Sequence, residues 1–132
     1  MDTIHQSILD QLPPLPSHEA QWRAIYMEPV MGSGERITVA VIAFDQDGCD
    51  ALKTLSPSRL RALFGKAGIG MSSMINLVVD SALRQGQSGH LDNFKSPLSG
   101  VYLGELRNGL SESRIGVLRQ AASLTSCFFE RN

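Results

Sequence analysis

Hydrophobic positions in the first half of the chain follow a strand pattern. Residues 36–44 are almost continuously apolar and rich in β-branched side chains, which predicts a central strand buried on both faces of a sheet. Residues 22–28 precede it and stop at Pro29, which has no N–H to give to a sheet ladder. Residues 49–55 follow an Asp- and Gly-containing turn. Three strands with short connections predict an antiparallel meander.

The second half of the chain carries helical signals. Ser56 and Pro57 are a hydroxyl cap and a first-turn proline, and they predict a short helix that ends at Gly65. Apolar residues at three-and-four spacing predict a second helix over residues 72–85 and a last helix over residues 113–128. Between these two helices the pattern predicts a polar loop and a further strand.

The whole pattern predicts an α+β fold, an antiparallel sheet of three or four strands with helices packed on it. The fourth strand is expected over residues 101–106, ended by the Asn108-Gly109 pair. Residues 1–16 are expected to form an N-terminal helix and a Pro-rich spacer. Residues 17–132 then make up a single α+β domain.

Composition fits one small domain. The chain has 132 residues, of which 42% are hydrophobic and 19% charged, enough for one core and too polar for a membrane-spanning protein. Asp2, His5 and Asp10 occupy positions where a secretion signal needs an apolar core, so we expect a cytoplasmic protein with no membrane association. Cys49 and Cys127 have no metal-ligand spacing, and we expect two reduced, packed thiols.

Charge is unevenly distributed along the chain. Residues 1–50 carry a net charge of −6, whereas residues 51–79 carry four basic residues and no acidic one. Arg59, Arg61 and Lys66 are therefore candidate contacts to a nucleic-acid backbone. No aromatic residue alternates with them as a base-stacking platform would require. A solvated helix flank is the favoured interpretation, and a nucleic-acid-binding accessory protein is the alternative.

No motif in the sequence specifies a catalytic site, a metal site or a cofactor. Glu28, Glu35 and Asp45 lie near strand ends, where a metal-dependent phosphodiesterase would place its carboxylates. Asp45 and Asp47 belong to a turn, where Asp is common because its side chain bonds nearby backbone. We therefore favour turn and solvated-edge roles, keep the phosphodiesterase as an alternative, and expect no cofactor and no bound metal.

Three short motifs resemble a family of short bacterial proteins of unknown function. They are Tyr26-x-Glu28-Pro29, the Gly-Glu-Arg strand over residues 34–41, and the proline-capped helix over residues 55–64. The chain departs from the family pattern at Thr38 and Ala40, where the family has asparagine and glycine. The resemblance implies the strand pair and the helix, and a setting near toxin–antitoxin-like or antiviral defence genes.

These observations favour a non-catalytic protein-interaction module, the small subunit or adaptor of a bacterial multi-protein system. Two adjacent aromatic residues, Phe128 and Phe129, close the last predicted helix and cannot share one narrow apolar stripe. We expect one of them, together with an exposed sheet edge near Trp22, to contribute to an interface. The expected occupant is a protein partner or a second copy of the chain.

Overall fold

The predicted meander is present. The computed structural model describes residues 17–30, 32–86 and 89–129, so the predicted N-terminal helix and spacer lie outside the described residues. Strands β1 (His18–Met27), β2 (Ile37–Asp45) and β3 (Gly48–Lys53) pair antiparallel in chain order. Because β2 lies between β1 and β3, its apolar run is buried as the sequence predicts.

Strands β4 (Val101–Leu103) and β5 (Arg107–Ser111) lie one after the other along the remaining edge of β1. Within the described residues the sheet therefore has five strand segments, in the order β3-β2-β1-β4, with β5 also paired to β1. Antiparallel pairing throughout confirms the α+β class. Between the pairs Trp22↔Arg107 and Ile25↔Leu103, β1 has two residues whereas the opposite chain has three, residues 104–106. A bulge at residues 104–106 therefore separates β4 from β5.

The predicted break at Asn108-Gly109 is wrong, because both residues belong to β5. A Cβ atom added at Gly109 would lie 2.7 Å from Cγ1 of Val117 and 3.3 Å from Cδ1 of Trp22. Gly109 therefore allows the last helix to approach the sheet closely, and it does not mark a turn.

The described part of the chain forms the α-helices α1 (Pro57–Phe64), α2 (Ala67–Gln85) and α3 (Arg114–Thr125). Ser56 caps α1 as predicted, its side chain accepting a hydrogen bond from the N–H of Arg59. Helix α2 begins five residues before the predicted start, since its packing against α1 outweighs the low helix propensity of the glycines in its first turn. Helix α3 ends three residues early because Ser126 has extended backbone angles.

Helices cover both faces of the sheet. Helix α3 packs on the face that carries Trp22 and Val41, whereas α1 and α2 pack on the face that carries Ile25 and Val39. Val41 and Val39 have the same parity in the sequence but lie on opposite faces. The register of β2 against β1 shifts between Ile25 and Tyr26, and this β-bulge changes which side chains face each helical layer.

Candidate functional site

A hydrogen-bonded ionic cluster lies where β1 begins, β2 ends and α3 begins. The Asp45 carboxylate accepts a hydrogen bond from Nη1 of Arg114 at 2.5 Å and contacts Nε2 of His18 at 2.8 Å. Nε of Arg114 also donates to Asp50 at 2.8 Å. The side chain of Asp45 is only 5% exposed, so the predicted solvated-edge role is wrong for this residue. Its turn role is confirmed by the N–H of Asp47, which donates to Oδ1 at 2.9 Å.

Hydrogen bonds keep Asp45 and Arg114 charged. Burial alone would raise the pKa of Asp45, but hydrogen bonds from His18, Arg114 and the Asp47 N–H outweigh it, and the pKa of Asp45 lies below its ordinary value. The hydrogen bond to Asp50 is the largest of the effects that raise the pKa of Arg114. Because Arg114 is hydrogen-bonded to Asp45 and Asp50, the cluster holds the start of α3 against β2 and β3. No signal in the sequence pairs Asp45 with Arg114.

The carboxylates of the phosphodiesterase alternative are not brought together. Glu28 and Glu35 flank the start of β2, whereas Asp45 lies at its end, about 26 Å away along an extended strand. Among the described residues, no group of three or more His, Cys, Asp and Glu side chains is placed to hold a metal ion.

An open groove of about 710 Å³ lies beside the start of β1, the end of β2 and the Gly89–Leu91 turn. Among the described residues, its lining includes the exposed carboxylate of Glu19 but no lysine or arginine, which favours neutral or cationic contacts over phosphates. Asp45 also borders the groove, but its charge is paired with Arg114. His90 and Leu91 have positive φ angles of 51° and 67°, a strained backbone for residues with side chains. Buried Leu91 packs with the core and offsets this strain.

The candidate nucleic-acid contacts lie on the helical layer. Arg61 and Lys66 are exposed on and just after α1, whereas Arg59 is half-buried and interacts with other groups. Lys53, from the same basic segment, donates from Nζ to Oδ1 of Asn76 at 2.8 Å. None of these four residues lines the groove described above.

The candidate interface residues are placed differently from the expectation. Trp22 is buried in the core, and its strand is paired with Ala43 on one side and Arg107 on the other, so the edge near Trp22 is occupied. Phe128 and Phe129 lie beyond the end of α3, so the helical-stripe argument does not apply to them. Both are half-buried, Phe128 against the α1–α2 side of the sheet and Phe129 against the α3 side.

The two thiols also differ from each other. Cys49 is half-buried, with its Sγ donating to the carbonyl of Leu83 at 3.7 Å, so its predicted packing is confirmed. Cys127 is exposed, and its predicted packing is wrong because the chain leaves the helix at Ser126.

An apolar surface that sequence reasoning missed lies on α2, on the side turned away from the sheet. We call it the outer face, formed by Lys66, Ile69, Gly70, Ser73, Leu77, Asp80 and Arg84. Ile69 is 57% exposed and Leu77 is 47% exposed. Nearby on the same helical layer, Leu63 and Met74 are also exposed. The signal in the sequence is the absence of any charged residue between Lys66 and Asp80.

Comparisons of the chain with protein-family models, with curated proteins and with solved structures find no match. In the part of the chain that the structure describes, no helix has both the length and the apolar character needed to cross a membrane.

Proposed function

We propose that this chain is a non-catalytic protein-interaction module, the small subunit or adaptor of a bacterial multi-protein system. The outer face of α2 is the proposed docking surface. The bacterial setting, and a role in antiviral defence or in a toxin–antitoxin-like system, rest on the resemblance of the strand pair and the proline-capped helix to the bacterial family.

One observation carries the proposal: α2 has large apolar side chains on both of its sides. On the inner side, Ile75, Val78 and Ala82 are buried against the sheet and α1. On the outer side, Ile69 and Leu77 point away from the core and are about half exposed. A helix on the surface of a monomeric protein is normally polar on its outer side.

The surroundings of the apolar residues support the same conclusion. Lys66 lies at one end of the outer face, and Asp80 and Arg84 lie at the other. An apolar centre rimmed by charged residues is typical of surfaces that bind another protein. Burying an Ile or a Leu side chain contributes about 1.5–3 kcal/mol, so a few such residues provide much of the free energy of a specific contact.

The test is co-expression of the tagged chain with the products of the genes that flank it and with an untagged second copy. We expect a stoichiometric protein to be recovered with the tagged chain. The Ile69→Ser/Leu77→Ser variant should lose that protein while its thermal melt is retained, because both side chains are already exposed.

Leu124→Ser is the matched control. Leu124 is 76% exposed and lies on α3, on the opposite side of the sheet from α2. This variant should retain the recovered protein. The proposal would be contradicted if the double variant recovered as much of the partner protein as the wild-type chain does. It would also be contradicted if Leu124→Ser lost as much of that protein as the double variant.

A further inference from the structure

We infer that the occupant of the outer face of α2 is a second copy of this chain, with the two α2 helices antiparallel and crossing at Ser73. This inference rests on the proposed docking function and names the partner. It is argued from the arrangement of apolar, small and charged residues along one side of the helix.

The charged and apolar residues of the outer face form a narrow stripe. At 100° per residue, positions 66, 69, 73, 77, 80 and 84 fall within about 80° of the helix circumference. Lys66 precedes the first residue of α2 but already has helical backbone angles, φ −60° and ψ −32°. The buried residues Ile75, Val78 and Ala82 lie on the opposite side of the helix.

The stripe is complementary to itself in the antiparallel direction. A two-fold axis at Ser73 places each residue opposite the one equally far on the other side of position 73. Ile69 of one copy then faces Leu77 of the other, and Lys66 faces Asp80. A two-fold dimer uses the same surface on both partners, so each of these pairs occurs twice.

The side chains at the crossing point are small. Ser73 lies on the axis and Gly70 beside it, and a Cβ added at Gly70 would have no other atom within 4 Å. Two helices with small residues at their contact can pack with their axes about 8–10 Å apart. Ile69 and Leu77 can then pack on each side of the crossing.

The charges select the antiparallel direction. In a parallel dimer Lys66 would face Lys66 and Asp80 would face Asp80, and like charges at such positions are unfavourable. Neither Lys66 nor Asp80 makes an ion pair within residues 17–30, 32–86 and 89–129, so both remain available for the second copy.

Disulfide trapping tests the crossing geometry. Ser73→Cys in a Cys127→Ser background, which removes the exposed native thiol, should give a covalent dimer on mild oxidation. A disulfide needs Cα atoms about 4.4–6.8 Å apart. Because each Cα lies about 2.3 Å from its helix axis, an interaxial distance of about 9–10 Å places the two facing Cα atoms within that range. Arg84→Cys in the same background is the control, because antiparallel helices would hold those two positions about 33 Å apart. The control should remain monomeric in a denaturing gel.

Sedimentation equilibrium tests the contacts. The wild-type chain should show a concentration-dependent dimer, and Ile69→Ser/Leu77→Ser should raise its dissociation constant on the order of a hundred-fold or more. Lys66→Glu should weaken the dimer on the order of ten-fold, and Asp80→Lys in the same chain should restore most of the loss. If Lys66→Glu weakened the dimer only by disturbing the fold, adding Asp80→Lys would not restore the dissociation constant.

Two results would overturn the inference: a wild-type chain that is monomeric at all concentrations, or trapping through Arg84→Cys as efficient as through Ser73→Cys. The proposed docking function would survive either result if Ile69→Ser/Leu77→Ser still removed a different recovered protein. Both would fail if the double variant changed neither self-association nor the recovered protein.

Discussion

Arg114 and Asp45 form an ion pair, Nη1 to Oδ1 at 2.5 Å, although 69 residues separate them in the chain. The pair joins the first residue of α3 to the last residue of β2. Arg114 also binds Asp50, which lies in β3. One guanidinium therefore connects the last helix to both β2 and β3.

Asp45→Asn should therefore destabilise the domain by about 1–3 kcal/mol, since it removes a buried charge partner from Arg114. Urea unfolding of the variant beside the wild-type chain measures the loss. Asp47→Asn, which changes an exposed residue in the same turn, is the control and should stay within about 0.5 kcal/mol of wild type. Equal stability of Asp45→Asn and wild type would show that the cluster does not stabilise the contact of α3 with the sheet.

The same ion pair predicts a pH dependence. The folded-state pKa of Asp45 lies below the ordinary value of 3.8, so its carboxylate stabilises the fold above that pH, and the stabilisation is lost as the pH falls through the folded-state pKa. The stability difference between wild type and Asp45→Asn should be full near pH 6 and shrink below about pH 4. A difference that stays constant down to pH 2 would show that the charge of Asp45 is not its source.

Val41→Asp should prevent folding, because Val41 is fully buried in β2 and an unpaired buried carboxylate costs several kcal/mol. Val30→Asp introduces the same carboxylate at a residue that is 67% exposed and should melt close to wild type. Circular dichroism melts compare the two variants. A cooperative, wild-type-like melt of Val41→Asp is incompatible with β2 as a buried strand.

Two glycines of α2 should respond to alanine in opposite ways. A Cβ at Gly68 would lie 2.4 Å from the carbonyl oxygen of Leu60, so Gly68→Ala should push α1 from α2 and destabilise the domain by about 1–3 kcal/mol. Gly70 has open space, and Gly70→Ala should stabilise the helix by up to about 1 kcal/mol. Urea unfolding in the Ile69→Ser/Leu77→Ser background keeps self-association out of the comparison. A stabilising Gly68→Ala would refute the close helix contact.

The two cysteines should react at different rates with an alkylating reagent at pH 8. Burial and then the nearby Asp50 charge raise the pKa of Cys49, so little of its reactive thiolate is present. Cys127 is exposed and should be modified first. Mass spectrometry over time measures both sites, with urea-unfolded protein as the reference in which the rates converge. Faster labelling of Cys49 in the folded chain would contradict its packing.

Nucleic-acid binding through Arg59, Arg61 and Lys66 should stay weak and non-specific. Fluorescence anisotropy with single-stranded and duplex DNA at low and moderate salt measures it, because binding through phosphate contacts falls steeply as salt rises. Submicromolar binding that disappears in Arg59→Glu/Arg61→Glu would favour the nucleic-acid-binding alternative over the interaction module.

Local signals in the sequence were sufficient for most of the fold. The apolar run of β2, the Ser56-Pro57 start of α1 and the end of α2 at Gln85 each depend on neighbouring residues and are present in the structure. Strand β5 was not predictable in this way, because Asn108-Gly109 resembles a turn and only the contact of Gly109 with Val117 explains it. The β-bulge in β2 was not predictable from neighbouring residues either, because it is a shift in the register of β2 against β1.

The candidate surfaces were less predictable than the fold. Trp22 and the two C-terminal phenylalanines were singled out by residue type, whereas their burial depends on pairing and on where α3 ends. The outer face was missed because the predicted start of α2 at residue 72 left Ile69 and Gly70 outside the helix. Extending a helix through two glycines required knowledge of its contact with α1.

The position of β1 in the sheet has a consequence for the chain as it is synthesised. One edge of β1 is paired by β2 early in synthesis, but its other edge pairs only with β4 and β5, which are made later. From the end of β3 at Lys53 to the end of β5 at Ser111 the ribosome adds 58 residues. At roughly 5–20 residues per second, that edge stays unpaired for about 3 to 12 s on the ribosome. Until β4 is synthesised, Ile25 and Met27 lie on an open strand that another nascent chain can join. Chains truncated before β4 retain this open edge permanently and are therefore expected to aggregate.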